Sequence, residues 1–238
     1  MSKTVDLTNY DSIAEIYISK VEKELSWNNL YEREYMTSIF DDFDGKSVLD
    51  VGAGTGFYAK YALNHNATQV IAVDASQKML DYIAANDESK SIGLYKADLK
   101  DGLPQIATNS QDYIICSLVL HYIEDWRCIF EDFHRILKPN GKLYISTHHP
   151  LNDYIYLDKP NYFKKYIIKD TWGQGDNQFD VHYYTRPLSD LMRPIIDSPF
   201  IMECMAEPLP SQRCKELATE IYEQLSAKPG FLFFTLRK

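Results

Sequence analysis

The chain has 238 residues, 45% of them hydrophobic, and a formal net charge of −9 at pH 7. This hydrophobic content predicts one folded domain with a sizeable core and argues against wholesale disorder. The acidic balance argues against nucleic acid or an anionic membrane surface as the main partner.

The cysteines and the apolar runs indicate the compartment. None of the four cysteines stands in C-x-x-C spacing, so we predict neither a dithiol motif nor a metal site. Residues 1–10 lack the apolar stretch of a signal peptide, and the longest apolar run, Tyr113–Ile123, is too short to span a bilayer. We expect a cytoplasmic protein, either a monomer or a homodimer.

Two helices are predicted before the first strand. Asp11 and Ser12 are suited to begin a helix that continues to Val21. A second apolar pattern predicts a helix over residues 30–40. We expect residues 1–46 to form a helical cap on the domain.

Residues 47–58 read Ser-Val-Leu-Asp-Val-Gly-Ala-Gly-Thr-Gly-Phe-Tyr. Val48–Val51 predicts a buried strand, the alternating glycines predict a sharp turn, and a helical pattern starts at Phe57. A strand, a glycine turn and a helix form the unit that binds nucleotide-like ligands at a helix N-terminus. A plain tight turn is the alternative, but three glycines with a leading acid favour binding.

The glycine spacing discriminates between ligands. A dinucleotide motif, G-x-G-x-x-G, would need its third glycine at Phe57, whereas the pattern here is D-x-G-x-G-x-G beginning at Asp50. This pattern resembles the first motif of class I S-adenosylmethionine-dependent methyltransferases. An acid so close to the turn would repel a pyrophosphate but suits the cationic amino group of a methionine tail. The predicted cofactor contacts of the turn are Asp50, Gly52, Ala53, Gly54 and Gly56.

Gln69–Asp74 predicts the second strand, and Asp74 at its end is placed to accept both hydroxyls of a ribose. An ordinary surface hydrogen bond is the alternative. Ala75 then leads into a helix. The resemblance implies that Met79 on this helix packs on the adenine, although a methionine here is also suited to the core.

Residues 92–99 predict the third strand and its exit. Ala97-Asp98-Leu99 resembles the adenine-edge segment of the family. The resemblance implies that the Asp98 carboxylate accepts a hydrogen bond from the exocyclic amine and that the next backbone N–H reaches the ring. An ordinary loop acid is the alternative for Asp98.

The fourth strand is predicted over 110–117, apolar on both faces as in a central parallel strand. By the resemblance, Ser117 and Leu118 pass the methionine end of the cofactor. An amphipathic helix over 126–137, a turn at 139–141 and a fifth strand over 142–147 follow. The run from His121 to Pro150 resembles the ubiquinone-biosynthesis-type (methyltransferase type 11) branch, whose members act on small molecules.

Residues 151–187 interrupt the alternation of strands and helices with an aromatic insertion. An insertion at the carboxyl ends of the strands would cover the ligand crevice, and aromatic faces suit a sulfonium cation. We predict a substrate lid, with a local satellite core as the alternative.

Two late strands, over 200–205 and 230–236, enclose a helix over 211–226. The resemblance implies that the seventh strand is antiparallel and inserts between the fifth and sixth. The predicted fold is therefore one α/β domain over residues 1–238. It has a Rossmann-like, mostly parallel seven-stranded sheet with helices on both faces.

The resemblance also bears on the cap, because an N-terminal segment of this kind often closes over the cofactor in the family. Tyr10 and Tyr17 match a Y-D-x-x-A-x-x-Y pattern common there. Core packing is an equal alternative for both tyrosines.

The reaction that the resemblance implies is an in-line transfer of a methyl group from S-adenosylmethionine to a small acceptor. The protein then mainly aligns the reactants, and a base is needed only where the acceptor loses a proton. His121 and His149 are the candidate bases. His148 ranks below them because it is suited to point into the sheet. His182 and Arg186 are candidates for binding an anionic or polar substrate.

Two other functions stay open. An NAD-dependent oxidoreductase is disfavoured by Phe57 and Asp50. A protein that binds S-adenosylmethionine or a related metabolite without chemistry is not excluded, because methyl transfer demands no fixed type of catalytic residue.

Overall fold

The computed structural model describes residues 10–21, 25–156, 161–172 and 178–238. The strands are β1 (Ser47–Val51), β2 (Gln69–Asp74), β3 (Ile92–Lys96), β4 (Gln111–Ser117), β5 (Leu137–His148), β6 (Tyr166–Trp172), β7 (Phe179–Thr185), β8 (Ile201–Ala206) and β9 (Phe231–Arg237). The α-helices are α1 (Tyr10–Val21), α2 (Arg33–Ile39), α3 (Phe57–Asn64), α4 (Gln77–Ala85), α5 (Arg127–Ile136), α6 (Pro150–Tyr156), α7 (Leu188–Ile196), α8 (Gln212–Leu217) and α9 (Thr219–Ala227).

Seven of the described strands form one sheet in the order β3-β2-β1-β4-β5-β9-β8. β1 is parallel to both β2 and β4, whereas β9 inserts antiparallel between β5 and β8. The predicted mostly parallel, Rossmann-like sheet is therefore confirmed. The strand order changes direction between β1 and β4, and a ligand crevice opens beyond the carboxyl ends of the strands at such a point.

Helices bury both faces of the sheet. Leu49 and Ile114 belong to a core shared with α5 and α7, while Val48 and Ile115 belong to the opposite core under α2, α3, α4 and α9. All four side chains are fully buried. Because successive strand residues point to opposite faces, central parallel strands are mostly apolar on both faces.

Three local predictions differ from the structure. The helix expected over 30–40 is a π-helical turn, Asn28–Glu32, followed by α2, and this turn buries Leu30, Tyr31 and Glu32 together. The helix expected over 211–226 breaks at Ala218, whose φ of −151° and ψ of 73° are not helical. The turn expected over 139–141 lies inside β5, beside a register shift between β4 and β5.

The aromatic insertion over 151–187 contains α6 and a separate antiparallel hairpin of β6 and β7, which we call the lid hairpin. Residues 157–160 and 173–177 of the insertion lie outside the described part of the structure. Ile168, Val181 and Tyr183 form a small buried cluster, and Tyr17 and Tyr122 pack against it. The satellite core considered above thus exists, and it joins the insertion to the N-terminal helix.

None of the helices among the described residues has the length and apolar character needed to cross a membrane.

Candidate functional site

The glycine turn between β1 and α3 forms the centre of the site. Gly52, Gly54 and Gly56 have positive φ values of 65°, 52° and 77°. A methyl group added at Gly52 would overlap Val119, and one added at Gly56 would lie 2.8 Å from Ile83 Cγ1. At Gly54 the nearest atom would be 4.0 Å away. The first and third glycines therefore permit close packing, whereas the middle one leaves room for a ligand beside the backbone.

Asp74, at the end of β2, faces this turn. Its Oδ2 accepts a hydrogen bond from the Gly54 N–H at 2.8 Å, and its Oδ1 accepts one from the Ser76 N–H at 2.8 Å. Burial raises the pKa of Asp74, and these bonds oppose the rise. The carboxylate is thus fixed beside the space that Gly54 leaves open.

A pocket with about 810 Å³ of unfilled space, part of it open to solvent, lies at this edge of the sheet. It reaches from the glycine turn to the residues that follow β3 and β4. Most of the predicted cofactor residues line it: Tyr17, Gly52, Gly54, Asp74, Ala75, Met79, Ala97, Asp98, Leu99, Ser117 and Leu118. Val119, Tyr122 and Ile123 line it as well, although the sequence did not single them out.

The other predicted cofactor residues lie elsewhere. Asp50 and Ala53 line a smaller pocket that adjoins the first and shares Tyr17 with it. Gly56 is buried against Ile83 and lines neither pocket. The side chain of Tyr10 lies outside the described part of the structure.

Glu32 in the smaller pocket was missed by the sequence analysis. It is 1% exposed, and its carboxylate accepts hydrogen bonds from Tyr58 Oη at 2.6 Å, Ser117 Oγ at 2.7 Å and Ser146 Oγ at 2.6 Å. Burial raises the pKa of Glu32, and the three hydroxyl donors oppose that rise. No local pattern marks this residue, because its partners come from three distant segments.

Asp50 is also buried in this region. Its Oδ2 accepts a hydrogen bond from the Ala59 N–H at 3.0 Å, in the first turn of α3. Burial raises the pKa of Asp50 to about 7, with smaller increases from the carboxylates of Asp74 and Glu32. Arg33 supplies a positive charge nearby, and its guanidinium lies 4.1 Å from the centre of the Phe57 ring. The smaller pocket therefore combines two buried acids with one cation.

The N-terminal helix is tied to the site by Asp11. Its Oδ1 accepts hydrogen bonds from Ser76 Oγ at 2.5 Å and from the Lys78 N–H at 3.2 Å, both at the start of α4. Six residues further along α1, Tyr17 lines both pockets. Burial raises the pKa of Tyr17 to about 12. α1 thus carries one wall of the site and is fastened beside Asp74.

His149 lies outside the lining of both pockets. Its Nδ1 accepts a hydrogen bond from the Leu151 N–H at 3.1 Å, so its Nε2 is the nitrogen that donates to Glu207 Oε1, at 2.6 Å. Burial lowers the pKa of His149. Both nitrogens are engaged by the protein, which suits a structural role.

His121 and His148 lie together. Their rings stack with centroids 3.9 Å apart and planes 15° from parallel. His148 Nδ1 lies 3.7 Å from Asp153 Oδ1, and Tyr183 of the lid hairpin makes an edge contact with each ring. His148, which the sequence ranked below His149, is therefore the histidine that lies beside His121.

Of the two predicted substrate-binding residues in the insertion, Arg186 is 7% exposed and lies close to this histidine pair. His182 is half-buried on β7, opposite Lys169 of β6. Among the described residues, no group of three or more His, Cys, Asp or Glu side chains is arranged to hold a metal ion.

A comparison with known families matches the part of the chain that begins in the strand before the glycine turn. Residues 49–145 match the family model described as a methyltransferase domain. This part of the chain is similar to a methyltransferase domain. The matched region of the domain starts within β1 and ends within β5, so it includes the glycine turn, Asp74, Asp98 and Ser117.

Individual proteins agree with this assignment. An uncharacterised protein of Haemophilus influenzae is 26% identical over the whole chain and 99% of its own length. The biotin biosynthesis bifunctional protein BioHC of Cellvibrio japonicus is 35% identical over 59% of the chain, which spans only 25% of that protein. The crystal structure of an S-adenosylmethionine-dependent methyltransferase from Mesorhizobium loti superposes with a TM-score of 0.72, at 24% identity, over 90% of the chain and all of its own. The fold is that of the S-adenosylmethionine-dependent methyltransferases.

Proposed function

We propose that this methyltransferase domain transfers the methyl group of S-adenosylmethionine to a small-molecule acceptor and forms S-adenosylhomocysteine. The observation that carries the proposal is the open space at Gly54 beside the fixed carboxylate of Asp74. A bare backbone and an acid at the carboxyl ends of adjacent parallel strands suit a nucleoside.

The nucleoside end of the cofactor is assigned to the main pocket. Asp74 would accept hydrogen bonds from the ribose hydroxyls, with the small side chain of Ala75 beside it. The adenine would lie against Met79, with Ala97 on its path. Asp98 would accept from its amine, and the Leu99 N–H would donate to its ring. All these residues line one continuous pocket, which supports the assignment.

The methionine end is assigned to the smaller pocket. A methionine tail carries an ammonium and a carboxylate, and this pocket offers two buried acids and Arg33. Asp50 and Glu32 would attract the ammonium, and Arg33 would attract the carboxylate. Ala53, Ser117 and Leu118 would line the methionine tail between its two charged groups. The cap to which Tyr10 and Tyr17 belong would lie over them.

S-adenosylmethionine supplies a methyl group already activated on a sulfonium centre, so the chain's own residues mainly align it with the acceptor. The cap and the lid hairpin would keep water from the reacting atoms. Of the two predicted bases, we retain His121 for acceptors that must lose a proton, because both nitrogens of His149 already have protein partners.

A small acceptor is supported by the partly enclosed pocket and by the net charge of −9, which disfavours nucleic acid. The four cysteines are all unpaired. This supports a reducing compartment such as the cytoplasm.

Calorimetry with S-adenosylmethionine, S-adenosylhomocysteine and NAD⁺ tests the cofactor. We expect the first two to bind and NAD⁺ to bind far more weakly, because Asp50 disfavours a pyrophosphate. Preferential binding of NAD⁺ would overturn the proposal. Release of S-adenosylhomocysteine with a panel of metabolites tests the chemistry, and its failure with every acceptor would favour a protein that only binds the cofactor.

A further inference from the structure

A second cavity lies next to the cofactor pocket, between the end of β5, the start of α6 and the end of β7. Its unfilled space, part of it open to solvent, is about 230 Å³, and its lining includes His121, His148, Asp153 and Arg186. Tyr122 separates the two spaces, since its ring packs 4.1 Å from that of His121 while it lines the cofactor pocket. The cavity therefore adjoins the place where an acceptor must lie.

Arg186 brings a positive charge into this cavity, and the carboxylates that act on it, those of Asp190, Glu124 and Asp125, form no direct ion pair with it. Its guanidinium donates to the carbonyl oxygens of Ile123 at 2.6 Å and Glu124 at 3.0 Å, and it lies 5.1 Å from the Trp126 ring centre. Within the described ranges, no carboxylate lies within ion-pair distance of it. A buried cation is normally paired, because leaving it alone in a low dielectric is costly.

His121 brings unused hydrogen-bonding capacity. Its side chain is 3% exposed, and neither ring nitrogen has a hydrogen-bond partner among the described residues. Buried polar groups without partners are rare and each costs stability, so their presence at a cavity indicates a ligand. A neutral imidazole offers one donor and one acceptor.

The acid of the cavity does not neutralise Arg186. Asp153 is 4% exposed, and burial raises its pKa to about 8, so its carboxyl is mostly protonated at pH 7. A protonated carboxyl donates a hydrogen bond instead of repelling an anion. The ring of His121 is neutral as well, because burial lowers its pKa well below the usual value.

We propose that this cavity binds a carboxylate of the methyl acceptor, with Arg186 as its counter-charge and His121 as a hydrogen-bond donor. This inference rests on the proposed function, since it names the class of acceptor for the same site. The cavity is too small for a whole metabolite, so the rest of the acceptor extends past Tyr122 towards the cofactor pocket. The acceptor is then a small organic acid that is held by its carboxylate and methylated at another atom nearer the cofactor pocket.

The test uses the full chain saturated with S-adenosylhomocysteine. Acetate, malonate and benzoate are titrated against their neutral amides by calorimetry, while the ring signals of labelled His121 are followed by NMR. We expect at least one acid to bind roughly 10- to 100-fold more tightly than its amide, the range for a hydrogen bond to a charged group, and to shift the His121 signals. If no acid binds better than its amide, or if inorganic phosphate binds and no carboxylate does, the proposal is wrong.

Variants locate the binding. Arg186→Gln and His121→Asn should each lower the affinity for the acid by a similar factor. His65→Gln, at an exposed histidine after α3, should leave this affinity unchanged. Because Arg186 also holds two carbonyls, His121→Asn keeps the test valid if Arg186→Gln does not fold. Unchanged acid binding in His121→Asn would overturn the assignment. The affinity for S-adenosylhomocysteine, measured in each protein, reports separately on the proposed function.

Discussion

Asp11 in the N-terminal helix accepts a hydrogen bond from Ser76 Oγ at 2.5 Å, and Ser76 is the residue that caps α4. One side chain therefore connects the cap to the helix that begins beside the predicted ribose site. The cap contributes Tyr17 to both pockets, so the stability of this connection should affect how well the cofactor is held.

Replacing Asp11 by alanine removes two accepted hydrogen bonds and should loosen α1. We expect the affinity for S-adenosylmethionine to fall roughly 3- to 10-fold, the equivalent of about one hydrogen bond, with faster amide exchange in α1. Hydrogen exchange and calorimetry measure the two effects. Glu15→Ala, an exposed acid on the same helix, is the control. Equal behaviour of the two variants would show that Asp11 does not fasten the cap.

The connection should also depend on pH. The hydrogen bond from Ser76 lowers the pKa of Asp11 below its ordinary value of 3.8. A depressed pKa means that the ionised form is favoured when folded, so this contribution is present at neutral pH and is lost as the pH falls below about 4. We expect the protection of α1 from hydrogen exchange to fall over that range in the wild type and to change less in Asp11→Ala.

Asp74→Asn should weaken the binding of the cofactor without unfolding the domain. The amide keeps one oxygen for the Gly54 or Ser76 N–H but loses an acceptor for the ribose hydroxyls. We expect a loss of about 1–3 kcal/mol in the binding of S-adenosylmethionine, measured by calorimetry. Asp81→Asn, on the exposed side of α4, should bind normally. Wild-type affinity in Asp74→Asn would place the ribose elsewhere.

The glycines of the turn should separate binding from stability. Gly54→Ala introduces a methyl group into open space and should mainly reduce cofactor binding, with about 1 kcal/mol of strain from its positive φ. Gly52→Ala forces an overlap with Val119 and should lower the melting temperature more. Thermal unfolding and calorimetry on both variants decide the matter. The opposite order of effects would contradict a ligand-facing Gly54.

The buried acids predict how the stability of the ligand-free protein varies with pH. Burial raises the pKa of Asp50 to about 7 and that of Asp153 to about 8, both far above the value of 3.8 for a free carboxyl. The folded state then binds more protons than the unfolded state between these values, so stability falls as the pH rises from about 4 to 8. Asp50→Asn should flatten this fall up to about pH 7 and raise the melting temperature at pH 8 by a few degrees. A parallel pH profile in the variant would show that Asp50 is not the responsible group.

Ionisation of Asp50 should have the opposite effect on the binding of S-adenosylmethionine. If the ionised form of Asp50 attracts the methionine ammonium, the affinity for S-adenosylmethionine should rise as the pH increases through 7. Asp50→Asn should bind more weakly at pH 8 and lose this dependence. Calorimetry at pH 6 and pH 8 tests this, and a dependence that survives in the variant would assign it to another group.

The sequence was sufficient where function depends on local pattern. The glycine turn, Asp74 and Asp98 each follow a strand with a clear apolar signal, and the order of parallel strands then brings them to one edge. The adjacent Ser117 and Leu118 follow from the same reasoning. Most of these residues line the pockets, and their roles in binding the cofactor stay predictions.

Residues whose roles depend on distant contacts were not predictable. Glu32 gains its partners from α3, β4 and β5, and it faces inward because of a π-helical turn that no periodicity indicates. His148 and His149 are adjacent, and which of them meets His121 depends on where β5 ends and α6 begins. The lid hairpin was hidden because aromatic residues on both faces obscured its alternation.

Tyr17 packs against the same small cluster, Ile168, Val181 and Tyr183, that forms the inner face of the lid hairpin. Helix α1 and the lid hairpin, which are far apart in the sequence, therefore share an apolar contact next to the site. We expect that opening either segment breaks this contact, so that neither proposed ligand leaves without loosening the cover of the other. Under the proposed function, release of the two products would therefore be coupled, and the few apolar contacts between the two segments would set the lifetime of the closed complex.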